Sequence, residues 1–212
     1  DATKDDDVII VAVKPYNIEG VIKDIKSVIS REKIFISIVY GVRIKYTGEM
    51  EGNDMPMFRV MPNTAIAVGK SMTCLCSNEQ GEKRIKIAEA IFNRLGHSLS
   101  IPESQMQAAT VVCASGVAFW MRLIRATTQA AIQLGFDAKE AQELAMYTSE
   151  GAASLLITNG NHPEEEIDRV TTPKGCTIEG LNEMEHKGLS SSLIQGMIAS
   201  FNKISNIKEE QI

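Results

Sequence analysis

Pro102 divides this chain into two halves whose hydrophobic patterns cannot belong to one architecture. Ahead of it, short β-branched runs alternate with helical stretches; behind it, strand signals cease and long helices follow. The first half opens on DVIIVAV, residues 7–13, a continuous apolar run of the kind found in a strand covered on both faces. Lys14-Pro15 stops it, and Asn17 is the expected N-cap of a helix running to about Ser30. Residues 33–39, 57–61 and 72–77 read as three further strands, with Pro62 stopping the second of them. Between Gly81 and Leu95, apolar residues at 85, 87, 88, 91, 92 and 95 share one helical face. Gly96 then closes that helix as a C′ glycine. Strand–helix–strand order implies right-handed crossovers and a mainly parallel sheet.

The second half reads as helices over about 104–113, 116–134, 138–158, 164–170, 177–187 and 190–208, punctuated by Gly135, Gly160 and Gly188. The helix at 116–134 is apolar almost all round, with Phe119, Trp120, Leu123, Ile124, Ala130, Ala131 and Leu134, so it must be covered on most sides. The next carries a small-residue stripe, Ala138, Ala141, Ala145, Ala152 and Ala153, that admits a close neighbour. A helical half of about 110 residues can hardly surround both helices from its own chain, which predicts a homodimer built through it. A compact monomeric bundle is the alternative. The chain thus reads as an α/β half followed by an all-α half.

Charge and cysteine usage narrow the function. A net charge of −5 argues against a general nucleic-acid binder, which needs a basic face. The longest uncharged stretch, Ser104 to Met121, carries Ser, Gln and Thr throughout and reads as a buried helix, not a lipid-facing one, so no membrane span is expected. The start, DATKDDDVII, has neither a basic n-region nor a cleavage-site pattern. Cysteines stand at 74, 76, 113 and 176; C-x-C matches neither a zinc knuckle nor a redox C-x-x-C, and on a strand Cys74 and Cys76 share a face as two small hydrophobes. Reduced thiols and a cytoplasmic setting are expected.

Several motifs fail on inspection. AVGKSM, residues 67–72, ends like a phosphate loop, but Thr64 stands where G-x-x-x-x-G-K-[ST] needs glycine. His97, His162 and His186 have no ligand spacing, so no metal site is expected and each is assigned to a surface or a cap. No G-x-S-x-G elbow supports acyl transfer. Two strand ends share a form, Val13-Lys14-Pro15 and Met61-Pro62, and in open α/β sheets ligands lie outside the carboxyl ends of strands. In MPNT, Asn63 tolerates the left-handed region and Thr64 offers a hydroxyl, although taken alone the pattern is better explained by ordinary strand-stop turns.

VTTPKGCTIEGL, residues 170–181, is more specific. A Thr-Pro-x-Gly loop feeding a helix presents free N–H groups at the helix start, where those donors and the dipole favour a small anion. Pro173 stiffens the loop, Gly175 allows close backbone approach, and Thr171, Thr172 and Thr177 supply hydroxyls. A carboxylate or phosphate is the natural guest; a self-capped helix start without a ligand is the alternative.

AVKP (12–15), RVMPNT (59–64), GAASLL (151–156) and HPEEEIDRVTTPKGCTIEGL (162–181), taken in order and spacing, resemble the pyrroline-5-carboxylate reductase family, and the resemblance runs from Val8 to Phe201. It implies a Rossmann-like NAD(P)-binding domain over 1–102, lacking its first strand–helix unit, then a helical dimerisation and substrate-binding domain over 103–212. It also implies interlocked dimers, larger assemblies of dimers, and hydride transfer from NADPH or NADH to a cyclic imino acid, giving L-proline. That reaction needs little acid–base machinery: the protein clamps the carboxylate, orients the ring and excludes water. On the resemblance, Val170, Thr171, Thr172, Pro173, Lys174, Gly175, Cys176 and Thr177 hold the substrate carboxylate. Thr177 is the catalytic threonine, its hydroxyl near the ring nitrogen, and Glu103 is an acidic residue near the substrate. Ala12, Val13, Lys14 and Pro15, with Tyr40 and Gly41 and with Met61, Pro62, Asn63 and Thr64, line the cofactor cleft.

This sequence departs from the family pattern in places. The family loop T-S-P-G-G-T-T has Lys174 and Cys176 in place of a glycine and a small residue. Its S-G-S-G-P-A is Cys113-Ala114-Ser115-Gly116-Val117-Ala118; Tyr40 replaces an alanine, and Gln107 an aspartate. Of the fifteen glycines no two stand two apart, so a G-x-G-x-x-G cradle is missing and the chain is expected to bind NAD(P)H poorly. Two rivals stay open: an inactive or truncated helical scaffold of the same fold, and a related imine reductase or β-hydroxyacid dehydrogenase. The second rival usually relies on a lysine in the first long helix after the junction, where this chain has only Arg122 and Arg125.

Overall fold

The computed structural model describes residues 6–27, 29–45 and 55–209. They divide into two compact units: residues up to Val117 together with the segment from Ser200, and Ala118–Ala199.

The first unit is built on a five-stranded sheet in the order β1 (Val8–Val11), β2 (Ile34–Ser37), β3 (Met57–Met61), β4 (Ser71–Ser77), β5 (Gly96–Ser100). Three of the four pairings are parallel, and β3–β4 is antiparallel. The antiparallel pair exists because only nine residues separate Met61 from Ser71, too few for a crossover; they form a 3-10 turn, Thr64–Val68, closed by Gly69 in the left-handed region. That is the role of the glycine in AVGKSM.

Helices cover both sheet faces. On one, α1 (Ile18–Ile25) lays Ile18 and Ile22 over Ile9, Val11, Phe35 and Met57. On the other, α3 (Ile85–Phe92) lays Ala88 and Phe92 over Ile34, Ile36, Phe58, Val60 and Leu75. Alternation along β2 and β3 sends neighbouring residues to opposite layers, and both strands are buried throughout, as expected of central strands. β1 is not. Ile10 is 47% exposed between buried Ile9 and Val11, so DVIIVAV is a strand fully covered on one face and only at Val8 partly covered on the other, and it ends at Val11, before Lys14-Pro15.

Other expectations shift in detail. Asn17 sits at the start of α1 without a side-chain cap, because a 3-10 turn over Pro15–Asn17 already leads the chain in. The helix predicted over 81–95 is two pieces, α2 (Glu79–Glu82), capped by the Asn78 side chain, and α3, broken at Lys83-Arg84. Gly96 does follow a helix, but it opens β5, a strand the sequence reading missed: GHSLS lacks an apolar run because the strand is largely exposed on the sheet edge. Its φ of +143° and the backbone of Ser71, into which any Cβ would run, both require glycine.

Beyond Pro102 the helices predicted over 104–113 and 116–134 are one continuous 31-residue helical segment, Glu103–Gln133. It starts as a 3-10 turn and α4 (Met106–Ala109), passes through a π-turn at Thr110–Ser115, and continues as α5 (Gly116–Gln133). Thr110 Oγ1 bonds back to the Met106 carbonyl at 2.8 Å, and the Gly116 amide reaches five residues back to Val111. By length and composition this segment could cross a bilayer, and only 17% of its most apolar window is buried. The buried helix expected over Ser104–Met121 is thus left largely uncovered by its own chain.

The second unit holds α6 (Ala138–Asn159), α7 (Pro163–Val170), α8 (Cys176–His186) and the first part of α9 (Leu189–Glu209), with most of α5. Asp137 caps α6 through the amides of Lys139 and Glu140, and Gly160 ends it in the left-handed region. Of its small-residue stripe, Ala141 and Ala145 are buried. Large apolar side chains stay open: Trp120 is 63% exposed, Leu134 81%, Tyr147 69% and Ile157 84%.

Candidate active site

The three parallel strands β1, β2 and β3 run in register, Val11 beside Ser37 and Ser37 beside Arg59, so their carboxyl ends share one edge of the sheet. Ala12–Pro15, Tyr40-Gly41 and Pro62–Thr64 follow those ends, while Met61 is the last residue of β3 and is buried. Ala12, Lys14, Pro15 and Thr64 are exposed there, Val13, Gly41, Pro62 and Asn63 partly so, and Tyr40 is 41% exposed. Gly41 turns the chain with φ +82°.

Asn63 does not occupy the left-handed region that its residue type allows. It is extended (φ −118°, ψ 176°) and caps the Thr64–Val68 turn, its Oδ1 accepting from the Ala65 amide at 3.0 Å. Its Nδ2 donates to the Cys113 carbonyl in the π-turn at 3.0 Å, and its amide donates to Ser71 Oγ at 3.1 Å. MPNT is thus fastened at once to β4 and to the π-turn. Nothing in the local sequence signals that link across fifty residues.

Glu103 opens the long helix, and its Oε1 serves two donors: the Ile44 amide at 2.9 Å and Arg59 Nη1 at 3.3 Å. Arg59 lies mid-strand with its side chain only 5% exposed, against 32% for Glu103, and its Nε has no hydrogen-bond partner. An arginine in the middle of an otherwise apolar strand was the visible sign of this pair, and the sequence reading passed over it.

Cys74 and Cys76 are both buried in one apolar cluster with Met61 and Met106, as two small hydrophobes on one strand face, and all four cysteines are free. Cys74 Sγ lies 3.8 Å from Cys113 Sγ. Either sulfur can donate in this contact; with the Cys74 S–H as donor, the Cys113 thiol comes down to about 7 despite its partial burial. The same bond holds the proton on Cys74, whose thiol is pushed well above its ordinary value. Burial pushes the Cys76 thiol up to about 12.

Val170–Thr177 lies in the second unit. α7 ends at Val170, which is 65% exposed, and Thr171 bonds back to it through its amide and hydroxyl. Thr172-Pro173-Lys174-Gly175 then makes a tight turn, the Gly175 amide donating to the Thr172 carbonyl at 2.8 Å. Lys174 takes the position that needs positive φ, at +60°, the one described non-glycine residue to do so. Gly175 is extended, and glycine is required there because a Cβ would collide with Thr172 Oγ1 and lie 2.9 Å from the Thr172 carbonyl. Having no side chain, Gly175 cannot cap α8, so the amides of Cys176, Thr177 and Ile178 have no intrahelical acceptor. These donors and the helix dipole make the junction receptive to a carboxylate.

Glu166, inside the quoted PEEEIDRV run, organises the approach to that loop. Its Oε1 accepts from Asn161 Nδ2 (2.7 Å), Asn159 Nδ2 (3.1 Å) and Arg169 Nη1 (2.7 Å). The Asn161 bond, then the Asn159 bond and the Arg169 charge, hold its carboxyl below the usual range. His97 is exposed on β5, His162 caps α7 by accepting from the Glu164 amide at 3.3 Å, and His186 lies in the last turn of α8. Among the described residues no cluster of metal-ligating side chains occurs.

Residues 103–207 match the family model described as pyrroline-5-carboxylate reductase dimerisation, and residues 1–41 match one described as NADP oxidoreductase, coenzyme F420-dependent. The chain is 41% identical over 212 residues to pyrroline-5-carboxylate reductase 1 of Dictyostelium discoideum, covering 94% of this chain but 38% of that one. It is 38% identical to pyrroline-5-carboxylate reductase 2 of the same organism, covering 93% of this chain and 71% of that one. In structure it is similar to Plasmodium falciparum pyrroline carboxylate reductase with NADP bound: TM-score 0.82, 28% identity, 95% of this chain and 77% of that one. With those matches beside a mainly parallel sheet and a helical second unit, the chain belongs to the pyrroline-5-carboxylate reductase family.

Proposed function

We propose that this protein takes part in reducing 1-pyrroline-5-carboxylate to L-proline, with NADPH or NADH as the electron donor. The reading rests most on the uncapped start of α8 behind the Thr172–Gly175 turn. The substrate is a small carboxylate whose protonated C=N bond is already electrophilic. It therefore needs holding and orienting more than it needs an acid or base. In this proposal the amides of Cys176, Thr177 and Ile178 take the carboxylate, and the Thr177 hydroxyl lies by the ring nitrogen. Lys174 adds a positive charge at the rim, and Glu103 is the acidic neighbour of the substrate.

The carboxyl edge of β1, β2 and β3 suits the nicotinamide end of a dinucleotide, since it offers backbone and small side chains at exposed Ala12 and Thr64 and at partly exposed Gly41, with Tyr40 beside Gly41. When bound, the reduced nicotinamide supplies the hydride. NADP is the cofactor in the similar Plasmodium falciparum structure, which favours it here.

A second copy of the chain is the proposed cover for Trp120, Tyr147 and Ile157, with dimers joining into larger assemblies in a cytoplasmic setting. Residues 1–102 then serve the cofactor and 103–212 serve dimerisation and substrate. The test is turnover of pyrroline-5-carboxylate with each reduced cofactor by the longest available protein, together with amide chemical shifts of 176–178 on titration with proline. Turnover with shifts at those amides is the expected result. Neither turnover nor shifts would favour an inactive scaffold and sink the reading.

A further inference from the structure

We infer that Cys113 and Cys74 form an oxidisable dithiol, closed by a peroxide into a disulfide that ties the π-turn to β4. The inference is independent of the reductase reading, because it needs only the first unit.

The geometry selects this pair. Their sulfurs are 3.8 Å apart, so closing a bond of about 2.05 Å takes about 1.8 Å of approach shared between two side chains. One partner lies in Thr110–Ser115, where the helix has already left regular geometry. Cys113 is partly exposed while Cys74 is 3% exposed, so an oxidant from solvent meets Cys113 first. With the Cys74 S–H as donor in that contact, the Cys113 thiolate is also the favoured nucleophile. Cys76 shares the face of Cys74 but is buried and donates to the Arg59 carbonyl at 3.7 Å, so it does not compete.

The step balances. The Cys113 thiolate attacks the peroxide O–O bond, giving a sulfenic acid and releasing hydroxide, which is protonated to water. The Cys74 sulfur then attacks the sulfenic sulfur, losing its proton and expelling a second hydroxide that leaves as water. Two thiols lose two electrons in all, and one hydrogen peroxide becomes two waters. A dithiol such as dithiothreitol reverses the bond by exchange. Because Asn63 Nδ2 donates to the Cys113 carbonyl, the cross-link also restrains MPNT at the end of β3.

The test treats the folded full chain with hydrogen peroxide, alkylates the remaining thiols with N-ethylmaleimide, and maps a non-reduced digest by mass spectrometry. The expected result is a linked Cys74–Cys113 peptide pair, abolished by dithiothreitol, with loss of alkylatable Cys113. In Cys74→Ala, or in Cys74→Ser if that variant folds better by near-UV circular dichroism, Cys113 should stop at the sulfenic acid and be trapped by dimedone. Cys113 remaining alkylatable while Cys176 is oxidised, or links through Cys76 or Cys176 instead, would overturn the inference; the wild-type map decides this even if neither variant folds.

Discussion

Replacing Glu103 tests how far this half of the molecule depends on one carboxylate. At 3.3 Å and an effective permittivity of about 20, opposite unit charges attract by about 5 kcal/mol, much of which the intact pair loses to the desolvation of Arg59. Removing the carboxylate leaves a guanidinium with a 5% exposed side chain still desolvated and without its counter-charge. One-sided rupture of a buried pair costs about 3–5 kcal/mol. Glu103 is 32% exposed, so water restores part of the lost field, and Glu103→Ala should cost about 2–3 kcal/mol, of which about 1 belongs to the stranded Ile44 amide. Glu103→Gln keeps an oxygen for both donors and should cost about 1 kcal/mol. Urea unfolding followed by far-UV circular dichroism reads these values from the midpoint at constant slope. Combining Glu103→Gln with Arg59→Met should cost less than the sum of the two single changes. A loss below about 0.5 kcal/mol for Glu103→Ala, the range of a neutral surface change, would refute the reasoning.

Gly96→Ala should lose the β4–β5 pairing, because the clashing atoms are Ser71 backbone that cannot give; a melting temperature near wild type would contradict this, since a cost above about 3 kcal/mol is expected. Asn63→Ala forfeits the bonds to Ala65 and Cys113 and should cost about 1–2 kcal/mol, whereas Asn63→Asp keeps the first and should fall between in urea unfolding. Gly175→Ala forces the Thr172 turn open and should weaken proline binding at least roughly tenfold by calorimetry, with unchanged affinity counting against the loop as the carboxylate site. The lowered Cys113 thiol implies thiolate present above about pH 7 and lost below it, so iodoacetamide labelling of Cys113 should reach half its maximal rate near that pH and shift upward in Cys74→Ala.

The sequence revealed those parts of the molecule whose signals are local. β2 and β3 are runs of apolar residues bounded by breakers, and the uncapped α8 follows from Pro173 and Gly175. The overexposed apolar surface of the second unit was foreseen from a helix greasy on every side. β5 escaped because an edge strand with His97, Ser98 and Ser100 shows no alternation to read. The π-turn escaped because Cys113-Ala114-Ser115-Gly116 looks like a break between helices, when Thr110 and Gly116 instead widen one turn and keep the chain going. The Asn63–Cys113 and Arg59–Glu103 links are products of tertiary folding, joining residues fifty and forty-four positions apart. Lys174 was visible as a departure from the family loop, but its consequence, a bulky residue held at φ +60°, appears only in three dimensions.

β3 is apolar on both sides at every position but one. Such a strand has no inside–outside rhythm by which a forming sheet could tell the correct alignment from one displaced by a single step. Arg59 breaks that degeneracy: only with Ser37 and Cys76 as its neighbours does it meet Glu103, and a one-step slip turns a permanent cation into the layer of Ile36, Leu75 and Phe92. The charge thus earns its place less by tightening the finished sheet than by rejecting misaligned ones as the strands assemble. An Arg59→Met protein should accordingly refold with more off-pathway material than its equilibrium stability alone would explain.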